Sequence, residues 1–66
     1  MKFNAEKLRE KRIEKGLSIT EMSSRMVMAN QQYSSIENGS NTPTIKTINR
    51  IASALGISAK SLLSEN

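Results

Sequence analysis

The sequence predicts an all-α fold of short packed helices, and three observations carry that expectation. The segments between Gly16, Gly39, Pro43 and Gly56 have helical apolar spacing throughout, with no alternating strand pattern and no internal repeat. Apolar residues make up 36% of the chain, with one Phe, one Tyr and no Trp, so the core must be aliphatic and methionine-rich. At 66 residues the chain is near the lower limit for independent folding. Two or three layers of short helices can bury such a core, while a many-stranded sandwich would have too little to bury. A single domain spanning residues 1–66 is expected.

The first helix is predicted over residues 5–15, with Asn4 as its N-cap and Gly16 as the left-handed residue after its end. Its inward face holds Ala5 and Leu8, with Ile13 on the flank, and Arg12 continues that face. A second helix is predicted over 19–26. Ser18 and Glu21 are spaced as a capping box, and Leu17 and Met22 as a hydrophobic staple. It buries Met22 and Met26 beside the small Ser23. The third is expected over 30–37, after the short turn Val27-Met28-Ala29, with Tyr33, Ile36 and Glu37 facing inward. Residues 38–43 form a loop by composition. Thr44 caps a fourth helix over 45–54, on which Ile45, Ile48, Ile51, Ala52 and Leu55 form the apolar stripe. Gly56 ends it, and Ser58 caps a fifth helix over 59–64 carrying Leu62 and Leu63 inward. Lys2 is expected in a mobile N-terminal arm.

Composition excludes several functions. The chain has no Cys and no His, so disulfides, thiol chemistry, zinc fingers and His-based catalysis are absent. The six acidic residues suggest no acid/base pair in a pocket, so no enzyme activity, catalytic residue, metal or cofactor is expected. Nothing resembles a signal peptide, and no apolar run would span a membrane, so a cytoplasmic protein is expected. Ten Lys/Arg against six Asp/Glu give a net charge of +4, which serves solubility or a polyanionic partner.

The turn between the second and third helices is too short for antiparallel packing, so the two cross steeply, as in a helix-turn-helix. The ordered set Leu8, Arg12, Gly16-Leu17-Ser18, Glu21-Met22-Ser23, Met26, Met28, Tyr33, Ile36-Glu37, Gly39, Pro43, Ile51-Ala52, Leu55-Gly56-Ile57 and Leu62-Leu63 resembles the phage-repressor family of helix-turn-helix domains, the Cro-like or XRE type. The resemblance covers residues 5–63. It implies a compact five-helix lambda-repressor-like DNA-binding domain with the motif in helices two and three. Within it, Arg12 and Glu37 correspond to a structural ion pair tying the first helix to the third. Two positions depart from the family pattern. Val27 stands where the family usually has Gly in the turn, and Ile19 where it often has a phosphate-contacting Gln. A β-branched residue in a left-handed conformation costs roughly 1–2 kcal/mol.

The third helix is unusual in what it shows to solvent. Its outward side carries Asn30, Gln31 and Ser34, with Gln32 and Ser35 on the flanks, all polar and uncharged. Side-chain amides match the adjacent acceptor and donor of adenine in the major groove, and hydroxyls can serve as either. Charged side chains would grip phosphate on any sequence, whereas neutral groups discriminate between bases. The stretch therefore looks like a recognition helix. Asn30 and Gln31 are the expected main readers, Ser34 and Ser35 secondary contacts, and Gln32 a third candidate that could instead face the second helix or a phosphate. Phosphate contacts are expected from Thr20, Asn38, Ser40, Asn41, Thr44 and Lys46, and from the free N–H groups at helix starts. Arg9, Lys11, Arg25 and Arg50 are read as ordinary solvated charges, with long-range attraction to DNA as the alternative.

The expected function is a sequence-specific double-stranded DNA-binding transcriptional regulator, a repressor acting as a homodimer on a pseudo-palindromic operator. Dimer contacts are expected near Gly56 and the end of the last helix, through Ile57, Leu62 or Leu63. The alternative is a protein-interaction module, such as an antitoxin or a component of a regulatory complex, with secondary DNA contact.

Overall fold

A computed structural model describes residues 1–65. Four α-helices follow one another: α1 Ala5–Glu14, α2 Ile19–Met26, α3 Asn30–Glu37 and α4 Ile45–Leu55. Local signals explain most of their ends. Asn4 caps α1 by accepting from the Lys7 N–H at 3.2 Å. The Ser18 hydroxyl accepts from the Glu21 N–H at 3.0 Å while the Glu21 carboxylate accepts from the Ser18 N–H at 2.9 Å, the reciprocal pair of a capping box. That N–H, and after it the Ser18 hydroxyl, holds the Glu21 carboxyl below its ordinary pKa. Thr44 caps α4 by accepting from the Thr47 N–H at 3.2 Å, without the reciprocal bond.

Helices α1, α2 and α4 end alike. The Gly16 N–H donates to Ile13 and the Leu17 N–H to Arg12, closing two of the carbonyls that the end of α1 leaves open. Gly56 and Ile57 repeat this on Ser53 and Ala52, and Val27 and Met28 on Ser24 and Ser23. The left-handed residue is Gly in the first two and Val27, at φ 55°, in the third.

The chain has four α-helices among the described residues rather than five. The expected last helix is one 3-10 turn, Ala59–Leu62, followed by an extended pair, Leu63–Ser64. Ser58 does not cap it, because its hydroxyl meets that of Ser61 at 3.2 Å. The end of the chain is extended because it pairs with its beginning. Strand β1, Lys2–Phe3, runs antiparallel to β2, Leu63–Ser64, with Lys2 opposite Ser64 and Phe3 opposite Leu63. The Asn4 N–H donates to the Leu62 carbonyl at 2.8 Å, and Lys7 Nζ to that of Leu63 at 2.9 Å. Lys2 is thus part of a paired strand, not a free arm.

Leu8, Met22, Met26, Tyr33, Ile36, Ile48, Ile51, Ala52, Leu55 and Leu62 form one buried cluster. Every helix contributes to it, with Leu62 closing it from the 3-10 turn. Two expectations change here. Ile45 begins the apolar stripe of α4 but is 77% exposed, because the core ends one turn further along, at Ile48. Leu62 is fully buried, so it is not available to a partner.

Candidate nucleic-acid interface

The site is built around α3, whose inner face is fixed by a buried charge pair. Arg12 Nε donates to Glu37 Oε2 at 2.6 Å and Nη2 to Oε1 at 3.2 Å, a two-pronged contact between α1 and α3. Its Nη1 donates to the Leu17 carbonyl at 2.6 Å, so the same guanidinium also ties down the approach to α2. The two side chains are only 11% and 7% exposed. The bond to Glu37 raises the pKa of Arg12 against the opposing effect of burial, so the cation persists. Beside them the Tyr33 hydroxyl is buried without a hydrogen-bond partner among the described residues. Burial first, and the neighbouring Glu37 carboxylate second, keep that phenol protonated far above its ordinary pKa. The Arg12–Glu37 pairing expected from the family resemblance is present.

The turn that aims α3 is held from both sides. Met26 is buried before it and Met28 half-buried after it, while Val27 itself is 88% exposed. The backbone there is left-handed because its flanking residues are anchored in the core, not because Val27 favours it. Ala29 starts α3 without a side-chain cap.

Asn30, Gln31 and Gln32 are exposed along the first turn of α3, and Ser34 and Ser35 are half-buried further along. Asn30 Nδ2 donates to Thr20 Oγ1 at 3.2 Å, so these two candidates lie together where α2 and α3 begin. Gln31 and Gln32 make no side-chain bond among the described residues. Ser35 differs: its hydroxyl donates to the Gln32 carbonyl at 2.7 Å, leaving its oxygen only as an acceptor.

The loop after α3 is internally bonded. Asn38 Oδ1 accepts from both the N–H and the hydroxyl of Ser40, at 2.9 and 2.6 Å, and the Asn41 N–H donates to the Ser35 carbonyl. Asn38 keeps its amide N–H₂ for an outside acceptor, while both Ser40 donors are engaged. Thr44 directs its hydroxyl to Thr47, and Lys46 is exposed next to it on the first turn of α4.

Arg9, Arg25 and Arg50 are exposed, as expected of solvated charges, but two of them are also bonded within the fold. Arg50 Nη2 donates to the Met26 carbonyl at 2.6 Å, and Arg25 Nη1 to the Ala54 carbonyl at 3.1 Å. Arg25 ties the end of α2 to the end of α4, and Arg50 ties the middle of α4 to the end of α2. Lys11 pairs with Glu14 at 3.7 Å. Arg9 is different. It is exposed and lines a small cleft with Arg12, Ile19, Ser34, Glu37 and Asn38. Since Arg12 and Glu37 satisfy each other, Arg9, which has no acidic partner among the described residues, supplies the positive charge of that cleft, beside the start of α2 and the end of α3. Its spacing on the exposed side of α1 gave no hint of this.

A short turn joins α2 to α3, whose outer side is neutral, and this arrangement together with the matches below makes the chain a DNA-binding transcriptional regulator. A helix-turn-helix family model matches residues 8–62, and the chain belongs to that family. No curated protein sequence matches significantly. Solved structures do. The restriction-modification controller protein C.AhdI from Aeromonas hydrophila is 27% identical, with a TM-score of 0.84 over 89% of each chain. SinR, the master regulator for biofilm formation, solved in complex with DNA, is 28% identical, with a TM-score of 0.82 over 91% of this chain and 97% of that one. The N-terminal DNA-binding domain of SinR from Bacillus subtilis is 28% identical, with a TM-score of 0.74 over 96% and 93%.

Proposed function

We propose that the protein is a sequence-specific repressor that seats α3 in the major groove of an operator and blocks promoter access as a homodimer. One observation carries the reading: the outer side of α3 is neutral and hydrogen-bonding, while the charge on that helix is buried against Arg12. Neutral amides discriminate between bases, and phosphate contacts set the register.

Asn30 and Gln31 are the main readers, with Ser34 behind them. Gln32 is a flanking reader. Ser35 contributes as an acceptor alone, because its proton is engaged. Thr20, Asn38, Asn41, Thr44 and Lys46 line the path of the phosphates, and Arg9 joins them from its cleft. Ser40 acts through Asn38, by holding its side chain in place. Residues 1–66 act as one unit, with no cofactor and no catalysis. No helix among the described residues is long and apolar enough to cross a membrane, and we place the action in the cytoplasm with the DNA.

The test is selection from a random double-stranded DNA pool at near-physiological salt. An inverted repeat with half-sites ~34–36 Å apart is the expected result. Affinity without sequence preference, together with a steep salt slope, would instead make the protein a charge-driven binder.

A further inference from the structure

Among the asparagines of the chain, only Asn38 is followed by glycine. The pair lies just past the last residue of α3, and both residues are exposed. A side-chain amide carbon and the peptide nitrogen that follows it can close a cyclic imide. Bulk on the following residue, or a backbone locked in a helix, normally prevents that closure. Neither obstacle is present here. Gly39 has no side chain, and nothing lies within 4 Å of where a Cβ would stand. Its N–H has one long bond, to the Ile36 carbonyl at 3.3 Å. The amide Nδ2 of Asn38 has no partner among the described residues, so the leaving nitrogen is free.

The loop slows the step without blocking it. Closure requires the peptide after Asn38 to swing away from its ψ of 0°. That swing breaks the bond from the Ser40 N–H to Asn38 Oδ1, at 2.9 Å. The restraint comes from exposed neighbours in the loop, and no core side chain holds the Asn38 amide.

We propose that Asn38 is a self-modification site that limits the DNA-binding lifetime of the free protein. The Gly39 nitrogen gives its proton to solvent and attacks Asn38 Cγ. The new N–Cγ bond forms, the Cγ–Nδ2 bond breaks, and the amide nitrogen takes a proton from water and leaves as ammonia. Water then opens the imide at either carbonyl, leaving aspartate or isoaspartate. No carbon is oxidised or reduced, and water is the only co-reactant.

The consequence rests on the DNA-binding reading above. Asn38 stands among the proposed phosphate contacts with its N–H₂ unengaged within the fold. Conversion replaces that donor with a carboxylate, which repels phosphate and lowers the net charge from +4 by one. The isoaspartate product also lengthens the backbone at a residue whose N–H donates to the Ser34 carbonyl at the end of α3. A duplex seated on this loop holds it against the swing, so conversion runs in the free protein and is slow in the bound one.

Asn41 supplies an internal control. It is exposed in the same loop, but the β-branched Thr42 follows it. Wild-type chain held at mildly alkaline pH should convert severalfold faster at Asn38 than at Asn41, read by peptide mapping that separates aspartate from isoaspartate. Equal conversion at the two, or none at Asn38, would overturn the proposal. A saturating duplex should slow conversion at Asn38 severalfold, and an equal rate would overturn the protection by DNA. The converted fraction, isolated by its lower charge on ion exchange, should bind all duplexes about tenfold more weakly, with a salt slope smaller by about one unit. Asn38→Asp keeps an acceptor for both Ser40 donors. It should hold the thermal midpoint and show the same loss of binding. Full affinity in the converted fraction and in this variant would overturn the effect on DNA. If fresh wild-type chain binds no duplex, the proposed function falls, and the mapping alone still decides the modification.

Discussion

The inner side of α3 buries Tyr33 and Ile36 as a surface helix should, but the placement of its charge is reversed. Its inner side holds a carboxylate that is 7% exposed and bonded twice to Arg12, while its outer side carries amides and hydroxyls but no charge. An ordinary helix buries apolar groups and shows Lys and Glu to water. The difference separates two tasks. A buried charge needs a fixed partner in fixed geometry, and so it sets the angle of the helix. An exposed neutral donor or acceptor is satisfied by water until a better-matched edge displaces it, and so it can discriminate.

The largest effect should come from breaking the inner side. Arg12→Ala leaves Glu37 buried and unpaired and should cost ~3–5 kcal/mol in chemical denaturation. Replacing both residues together, Arg12→Met with Glu37→Leu, should recover most of that loss. If the single variant costs less than about 1 kcal/mol, the pair does not anchor α3. The outer side should behave in the opposite way. Gln31→Ala should leave the midpoint of unfolding unchanged and lose ~1–3 kcal/mol of discrimination between operator and mismatched duplex. Unchanged discrimination would remove Gln31 from the readers.

The turn between them gives a smaller effect. Val27→Gly should stabilise the fold by about 1 kcal/mol, since it relieves a left-handed β-branched residue without opening the core. Gly56→Val should lose about 1–2 kcal/mol, because an added side chain meets no atom within 4 Å and only its φ of 68° is unfavourable. Equal and small responses at both ends would mean the left-handed geometry carries no strain in either. Lys46→Ala should weaken all duplexes alike and lower the salt slope by about one unit. A loss confined to one sequence would make Lys46 a reader.

The smallest effect is a pH effect at Glu21. Its folded pKa lies below the unfolded value, so its contribution is present above the ordinary carboxylate range and is lost as pH falls through that range toward the folded pKa. Glu21→Gln keeps an acceptor for the Ser18 N–H and should remove that part of the acid sensitivity, read as the change in midpoint between neutral and acid pH. An unchanged pH profile would show that the capping box does not depend on the charge.

How much of this was legible in sequence follows how local each signal is. Helices α2 and α3 run from Ile19 to Met26 and from Asn30 to Glu37, as expected, because a capping box, a staple and a short turn are written in adjacent residues. The last segment was misread as helix because its conformation depends on pairing with Lys2 and Phe3 at the other end of the chain. Periodicity put Ile45 on the right face of α4, yet it does not say where the covering elements stop. At the site, side-chain types and the exposed face were readable. The engagement of Ser35 and Ser40 was not, since short hydroxyl side chains choose among nearby groups that sequence does not rank.

The arginines that join α2 and α4 have a consequence for where the positive charge of the domain is held. Lys7, Lys11, Arg12, Arg25 and Arg50, half of the ten basic side chains, have partners inside the fold. Attraction to an arbitrary duplex grows with the number of free cations it can neutralise. Only Lys11 and Arg12 meet carboxylates; Lys7, Arg25 and Arg50 meet carbonyls and stay cationic, so the fold holds their charge at fixed points without cancelling it.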